Sequence, residues 1–394
     1  MHPINEIRRS ASDFLAGKRI VLAITGSIAA VEVVKLAREL ARHGAEVIPV
    51  MSHAATRIIH PDAVHFATGH EPIIELDGAI KHVELCGDSK YRADVLLIAP
   101  ATANTISKIA HGIDDTSVTT MASCAMGSKM PIIIVPAMHG SMYNHKIIME
   151  NVEKLKSAGV TFVGPRLEEK KAKMATRDEI IWEVLRAAGP RDLGGKRVLI
   201  IAGSTREAID DVRFISNASS GRTGIALAIE AYRRGAAVEA WAGEGLAIPE
   251  FATVKRFGSV NDLKRMAPKA KADIIIVPAA ISDFTLKPAK GKIPSGKSVR
   301  LQLEPAGKIL GLLPKTCIII GFKAETGITI KELEKRARDR MKRHGLDLMV
   351  ANRLEDVKAE NTIALILAPG KRGRDFKGSK NELAEAIFGM VLEG

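Results

Sequence analysis

The hydrophobic positions of the chain fall into two kinds of run. The first kind is short and unbroken. It covers Ile20 to Thr25, Val95 to Ala99 and Ile132 to Val135 in the first half, and Val198 to Ala202, Val238 to Ala242, Ile274 to Val277 and Ile318 to Phe322 in the second. Runs without polar alternation predict strands covered on both faces, as in a parallel sheet. The second kind recurs at helical spacing. Val33, Leu36, Ala37 and Leu40 share one face of a segment from Ala29 to His43, and Gly44 ends that helix before a strand at Ala45 to Met51. Further helices are predicted over Ala103 to His111, Ser117 to Ser123, His145 to Ser157, Ile225 to Arg234, Lys331 to His344 and Ser379 to Leu392, with late strands at Leu348 to Ala351 and Ile363 to Leu367. The alternation predicts an α/β chain of two doubly wound, mostly parallel-sheet (Rossmann-like) domains in tandem, residues 1–188 and 192–394, joined by Ala188-GPRDLGG.

Two stretches interrupt the pattern. Pro165 to Thr176 is charged and aperiodic, and reads as a lid over a site. Phe284 to Leu313 is turn-rich and lysine-laden, a loop with a β-arm. In addition, Lys18-RIVLAITGSIAA and Lys196-RVLIIAGSTREAID both run an apolar strand into a small-residue turn that opens a helix. That arrangement binds anions, so the chain is expected to carry two nucleotide-type sites.

Composition narrows the partners. At 394 residues the chain can build two cores, and its 46% hydrophobic and 26% charged residues describe a globular protein. No apolar run approaches the ~20 residues that span a bilayer. The start, MHPINEIRRSASDF, lacks a secretory apolar stretch, so a cytoplasmic protein with no membrane partner is expected. Cys86, Cys124 and Cys317 are too widely spaced for a disulfide framework or a paired metal motif. The net charge of +13 would suit nucleic acid, but the cations are spread along the chain and aromatics are only 4%. Small polyanions, not nucleic acid, are the expected partners.

The first half concentrates its candidate chemistry at strand ends. Thr25-GSIAA reads either as a phosphate cradle or as a tight turn with a serine cap. Ala99-PATANT offers Thr102, Asn104 and Thr105 as uncharged donors and acceptors at a sheet's carboxyl edge. Pro136-AMH brings His139 to the same edge, and Lys81-HVEL carries His82. These motifs, in this order, resemble the flavin-dependent cysteine decarboxylases, and among them the phosphopantothenoylcysteine decarboxylases. The resemblance implies FMN, with its phosphate held by Gly26, Ser27, Ile28 and Ala29 and its pocket completed by Ser52, Pro100, Ala101, Thr102, Asn104 and Thr105. It makes His82 the active-site histidine. This sequence departs from the family pattern twice. His139 stands where many members have asparagine, and the lid Leu167-EEKKAKMA lacks the cysteine many bacterial members carry there as proton donor. His139, Lys171, Lys173 or solvent must then serve, and His139 is favoured because it lies in the substrate-facing motif.

The second half is densest at Gly203-STREAIDDVRFISNASSGRTG, where Arg206 and Arg213 can meet phosphate or carboxylate. Asp283 follows one buried strand and Phe322 ends another. The motifs AGSTRE, ISNASSG, AAISD, GKI and GFKAET resemble phosphopantothenate–cysteine ligases. The resemblance implies that Asn217 handles an acyl-cytidylate and that Gly203, Ser204 and Arg206 serve nucleotide or substrate. It assigns CTP contacts to Ala279, Asp283, Lys292, Phe322 and the run Gly307, Lys308, Ile309, Leu310, and by position to Arg340 and His344. Together the halves resemble the bifunctional enzymes of coenzyme A biosynthesis. One half joins 4′-phosphopantothenate to L-cysteine with CTP and Mg²⁺, and the other decarboxylates the product on FMN to 4′-phosphopantetheine. No metal ligands are assigned. The family implies a homo-oligomer in which decarboxylase trimers and ligase dimers combine, as far as a dodecamer. The competing expectation is a flavin-binding regulatory or scaffold protein with a degenerate decarboxylase site.

Overall fold

Alternation of side chains along each buried strand decides where the first core sits. In the strand β1 (Arg19–Ile24), Ile20, Leu22 and Ile24 enter one apolar cluster, while Val21 and Ala23 enter another. The computed structural model describes residues 2–168, 171–296, 298–357 and 361–393; positions 169 and 170 of the expected lid and 297 of the expected arm lie outside it. The chain forms two units, residues 1–189 and 190–394.

In the first unit, β1 is joined by β2 (Glu46–Met51), β3 (Val95–Ala101) and β4 (Ile132–Pro136). After the two-residue β5 (Met138–His139), β6 (Thr161–Phe162) completes the order β2-β1-β3-β4-β6, parallel throughout. Helix Val33–Arg42 covers one face with Val33, Leu36, Ala37 and Leu40; helices Ala103–Ala110 and Ser117–Gly127 cover the other. Each aliphatic side chain so buried contributes about 1.5–3 kcal/mol before entropy is counted. The chain leaves β1 for β2 on one side and reaches β3 on the other. The crevice beyond the carboxyl ends of β1 and β3 is therefore a topological switch point, where open α/β sheets bind ligands. Two details differ from expectation. The helix expected from Ala29 starts as a 3₁₀ turn, Ile28–Glu32, and the helix from Ser117 runs on to Gly127. The expected lid is itself a strand pair, β7 (Arg166–Glu168) and β8 (Lys171–Lys173), with β8 also pairing β5.

The second unit opens with β9 (Arg197–Ala202) and the hairpin β10 (Arg206–Ala208) and β11 (Phe214–Ser216). Then come β12 (Ala237–Gly243), β13 (Thr253–Phe257) and β14 (Ile274–Val277), followed by the short ladder β15 (Phe284–Thr285) and β16 (Glu304–Pro305). Last are β17 (Ile318–Glu325), β18 (Leu348–Arg353), β19 (Asn361–Leu367) and β20 (Arg374–Ser379). The eight-stranded order is β13-β12-β9-β14-β17-β18-β19-β20, with only the β18–β19 and β19–β20 pairs antiparallel. Its switch point lies between β9 and β14. No helix among the described residues is long and apolar enough to cross a membrane.

Candidate active sites

At the first switch point, the Thr25 hydroxyl donates to the Pro100 carbonyl at 2.7 Å and accepts the Thr102 N–H at 3.2 Å, tying the ends of β1 and β3. Thr102 caps helix Ala103–Ala110 by accepting from Thr105 N–H, and Ser52 caps the turn His53–Thr56 by accepting from Ala55 N–H. A Cβ on Gly26 would lie 2.5 Å from the Ala54 Cβ, so this glycine lets the β1 turn touch the turn that carries Ser52. Between them opens a cavity of about 350 Å³ lined by Thr25, Gly26, Ser52, Asn104, Thr105 and Met142. Its walls also hold a His53–Glu75 hydrogen bond and the Lys108–Asp115 ion pair, neither anticipated from sequence. Lys108 stands one turn after Asn104 on the same helix, a spacing that could have flagged it. Among the described residues the exposed Asn104 amide has no partner. A volume within the ~300–1,000 Å³ of ligand pockets, with hydroxyls, a free amide and a lysine already paired to an aspartate, fits an uncharged heteroaromatic ring.

A second cavity, about 580 Å³, lies under the lid. Ser27, Ile28, Ala29, Met138 and His139 face it from the sheet side, and β8 from the other. His139 caps the turn Gly140–Tyr143: its Nδ1 accepts the Ser141 N–H at 3.3 Å and contacts the Ser141 hydroxyl at 2.8 Å. A backbone N–H can only donate, so Nδ1 is the acceptor and the ring proton sits on Nε2.

The predicted flavin residues therefore divide. Gly26, Ser52, Thr102, Asn104 and Thr105 share the first cavity, whereas Ser27, Ile28 and Ala29 line the second. Pro100 and Ala101 are buried inside β3 and line neither, because β3 stays fully covered up to Ala101. His82, on helix Lys81–Cys86, also lines neither, and its Nδ1 is buried without a partner. No cysteine replaces the missing lid thiol. Burial, with Cys124 adding to it, pushes Cys86 up to about 12; burial also raises Cys124 and Cys317, and none of the three lines either cavity.

In the second unit, Gly203 takes φ +91°, and a Cβ there would meet Gly243 N at 3.1 Å, so β9 ends in a turn that only glycine permits. Gly203 O accepts the Ala280 N–H and the Thr205 hydroxyl accepts the Ser282 N–H, seating the AAISD segment on this turn. Ser216 donates to Thr205 O and to the Ser204 hydroxyl, and the Asn217 amide donates to Ala280 O at 3.3 Å. Beside it, a cavity of about 60 Å³ gathers Ala279, Asp283, Gly307, Lys308, Ile309, Leu310, Phe322 and Arg340. An Asp283–Lys308 ion pair joins its two sides. Among the described residues the buried Arg340 Nε has no partner, and burial holds this guanidinium below its ordinary pKa against the opposing pull of Asp283 and Glu325. A lone buried donor in a small cleft is a place waiting for an anion.

Residues 8–189 match the sequence family described as Flavoprotein, and residues 193–393 match the DNA/pantothenate metabolism flavoprotein C-terminal domain. The chain is 48% identical to the coenzyme A biosynthesis bifunctional protein CoaBC of Thermococcus kodakarensis, with 99% of each chain covered. It is 39% identical to the protein of the same name from Methanocaldococcus jannaschii, over 99% of this chain and 97% of that one. The chain belongs to the coenzyme A biosynthesis bifunctional protein family. It joins a flavoprotein-type phosphopantothenoylcysteine decarboxylase to a phosphopantothenate–cysteine ligase, which sets aside the regulatory or scaffold expectation. Among solved structures, the C-terminal domain of a coenzyme A biosynthesis bifunctional protein covers 52% of this chain and 97% of its own at 29% identity and a TM-score of 0.43.

Within the ligase unit of this family member, not every expected contact reaches the cleft. Arg206 pairs with Glu244 at 3.4 Å and lies 4.6 Å over the Phe214 ring, so it braces the hairpin instead of lining the cleft. Lys292 is exposed on the arm and outside the lining. His344 is also outside it; burial, helped by Arg340, Lys315, Arg343 and Lys308, keeps this imidazole below its ordinary pKa. Among the described residues no three His, Cys, Asp or Glu converge as a metal site.

Proposed function

We propose that the first unit binds FMN in the Ser52–Asn104 cavity and decarboxylates 4′-phosphopantothenoylcysteine in the adjoining lid cavity. The second unit uses CTP and Mg²⁺ to couple 4′-phosphopantothenate to L-cysteine, and both work in the cytoplasm. The observation that carries the first reading is the place of His139, which lines the lid cavity while its Nδ1 is taken by the Ser141 N–H. Flavin, when bound, supplies a two-electron oxidation of the cysteinyl side chain and later returns the pair. His139 holds its Nε2–H as a donor beneath the lid, where it stabilises the negative charge left as CO₂ departs. The lid strands β7 and β8 exclude water from that charge.

His82 lies outside both cavities of its own chain, beside the exposed Ile80 and Val83. We assign it a catalytic role in a neighbouring copy, which requires a homo-oligomer. In the ligase, the cleft is too small for a nucleotide while the Asp283–Lys308 pair is closed. Nucleotide entry parts that pair, giving Lys308 to the phosphates and leaving Asp283 for the base or Mg²⁺. Arg340 neutralises the triphosphate, and Asn217, fixed by Ala280 O, orients the acyl-cytidylate while the cysteine amine displaces CMP.

The test is direct. Purified protein is expected to be yellow and to release pyrophosphate from CTP, and then CO₂, when given phosphopantothenate, cysteine and Mg²⁺. His139→Ala abolishes CO₂ release with the yellow colour retained, and His139→Asn, which restores an N–H donor, recovers it. Full turnover by the alanine variant sinks the assignment. Mixed oligomers of His82→Asn and His139→Ala regain part of the activity that each lacks; no recovery rejects the shared site.

A further inference from the structure

The lid cavity is charged in a way the decarboxylation chemistry does not use. Its floor is apolar, made by Ile28, Ala29, Ala137, Met138, Ala172 and Met174. Its rim carries Arg166, Lys171, Lys173 and Arg177, and among the described residues its lining has a single carboxylate, Glu32. Glu168 engages two of the cations, Arg166 at 2.9 Å and Lys173 at 3.1 Å, and Glu32 turns to Lys35 at 3.6 Å. Among the described residues, Lys171 and Arg177 form no ion pair. Arg177 also stands at the first position of helix Arg177–Ala187, where a cation opposes the helix dipole. That end is closed by a capping box in which Thr176 and Glu179 each accept the other's backbone N–H. The candidate anion site is built from the side chains that line the cavity.

Two unpaired cations above an apolar floor call for a ligand with an apolar body and a doubly charged end. A phosphate monoester carries about −1.5 to −2 at neutral pH. We propose that Lys171 and Arg177 bind the phosphate monoester of the decarboxylase substrate, with Arg166 and Lys173 holding the lid strands around it through Glu168. The proposal rests on the decarboxylase reading above and adds the subsite that selects a phosphorylated over an unphosphorylated pantothenoyl chain. The flavin's own phosphate has the same chemistry, and Ser27, Ile28 and Ala29, expected from sequence to hold it, line this cavity; Gly26 and the Ser52, Thr102, Asn104 and Thr105 side chains line the other, and the flavin-binding arm of the experiment separates the two phosphates.

The experiment uses the full-length holoprotein with 4′-phosphopantothenoylcysteine and with pantothenoylcysteine. Wild type is expected to show a much lower KM for the phosphorylated substrate. Arg177→Gln, which removes charge without removing any proton donor, lowers that KM ratio about tenfold, as does Lys171→Gln, the loss expected for one charge-assisted contact. A merely structural role would move both substrates together and leave the ratio intact, and that outcome overturns the proposal. FMN and riboflavin binding form the second arm. An Arg177→Gln protein that keeps its preference for FMN supports the substrate site, and one that loses it assigns the rim to the flavin phosphate instead. If wild type decarboxylates neither substrate, the decarboxylase reading itself fails. If it handles both with equal KM, only the phosphate subsite does.

Discussion

Gly26 and Arg340 show that a site residue can be demanded by packing or kept at a cost to it. A glycine in a strand-to-helix turn usually suggests close approach of a ligand, yet Gly26 is required by Ala54 at 2.5 Å. Gly26→Ala is expected to cost about 1–3 kcal/mol by overpacking and to lower flavin occupancy with it, measured by melting temperature and by absorbance per protein. Arg340 runs the other way. An unsatisfied buried donor costs about 1–3 kcal/mol, so Arg340→Met is expected to leave the melting temperature unchanged or raised. The same substitution should raise the KM for CTP about tenfold or more through loss of a charged contact. A variant that melts lower with an unchanged KM would show that Arg340 is structural. Of the sequence-derived site residues, some that sit beside a strand end line one cleft, as Asp283 and Phe322 do, while Asn217 stands outside its lining on the Ala280 carbonyl. Arg206 also stands outside it, and nothing in a linear motif reveals that Glu244 and Phe214 already occupy this side chain.

Elements were legible where burial is two-sided. β1, β3, β4, β9 and β14 are continuous apolar runs, and any register leaves them apolar on both faces. The edge strands β13 and β20 were not legible: β13 exposes every residue but Phe257, and β20 has no buried position at all. The lid strands have three residues each and one buried side chain between them, Ala172, too little for a period to appear. The hairpin β10–β11 was hidden for a further reason, since its tip is organised by one carboxylate. Asp210 accepts the N–H groups of Val212 and Arg213 at 2.8 and 2.7 Å, pairs with the Arg213 guanidinium, and accepts the Ile293 N–H of the lysine arm at 3.0 Å. Those contacts, the Ile293 N–H foremost, hold its carboxyl below the usual range. The stabilisation is therefore complete above the ordinary carboxylate pKa and is lost as pH falls through the lowered folded value. Asp210→Asn is expected to speed tryptic cleavage at Lys290 and Lys292 at neutral pH and to reduce ligase turnover. With an acid-stable protease of its own specificity, wild type should become readily cut within the arm only below the ordinary carboxylate range. An arm equally protected in the variant rejects this tether.

At the scale of the whole molecule, the two apolar clusters built on β1 draw their buried residues from 15–188, and the cluster on the Leu199 and Ile201 face of β9 draws its own from 199–367. Chains of residues 1–189 and 190–394 are expected to fold separately, the first yellow and the second releasing pyrophosphate, as checked by circular dichroism and activity. A collapse of either would place part of its stability in the other. The +13 charge belongs to this scale as well. Exposed charges are screened over about 10 Å at 0.1 M salt, so added salt should raise the KM for CTP and phosphopantothenate well before it changes turnover. The rim of the lid cavity has a kinetic consequence. Decarboxylation removes a carboxylate at one end of the chain and leaves the phosphate at the other untouched, so Lys171 and Arg177 grip what is made as firmly as what is consumed. 4′-Phosphopantetheine is then expected to leave slowly and to compete with incoming substrate. Added 4′-phosphopantetheine should compete with substrate at concentrations near its KM while pantetheine does not, a brake on the route to coenzyme A written into the lid.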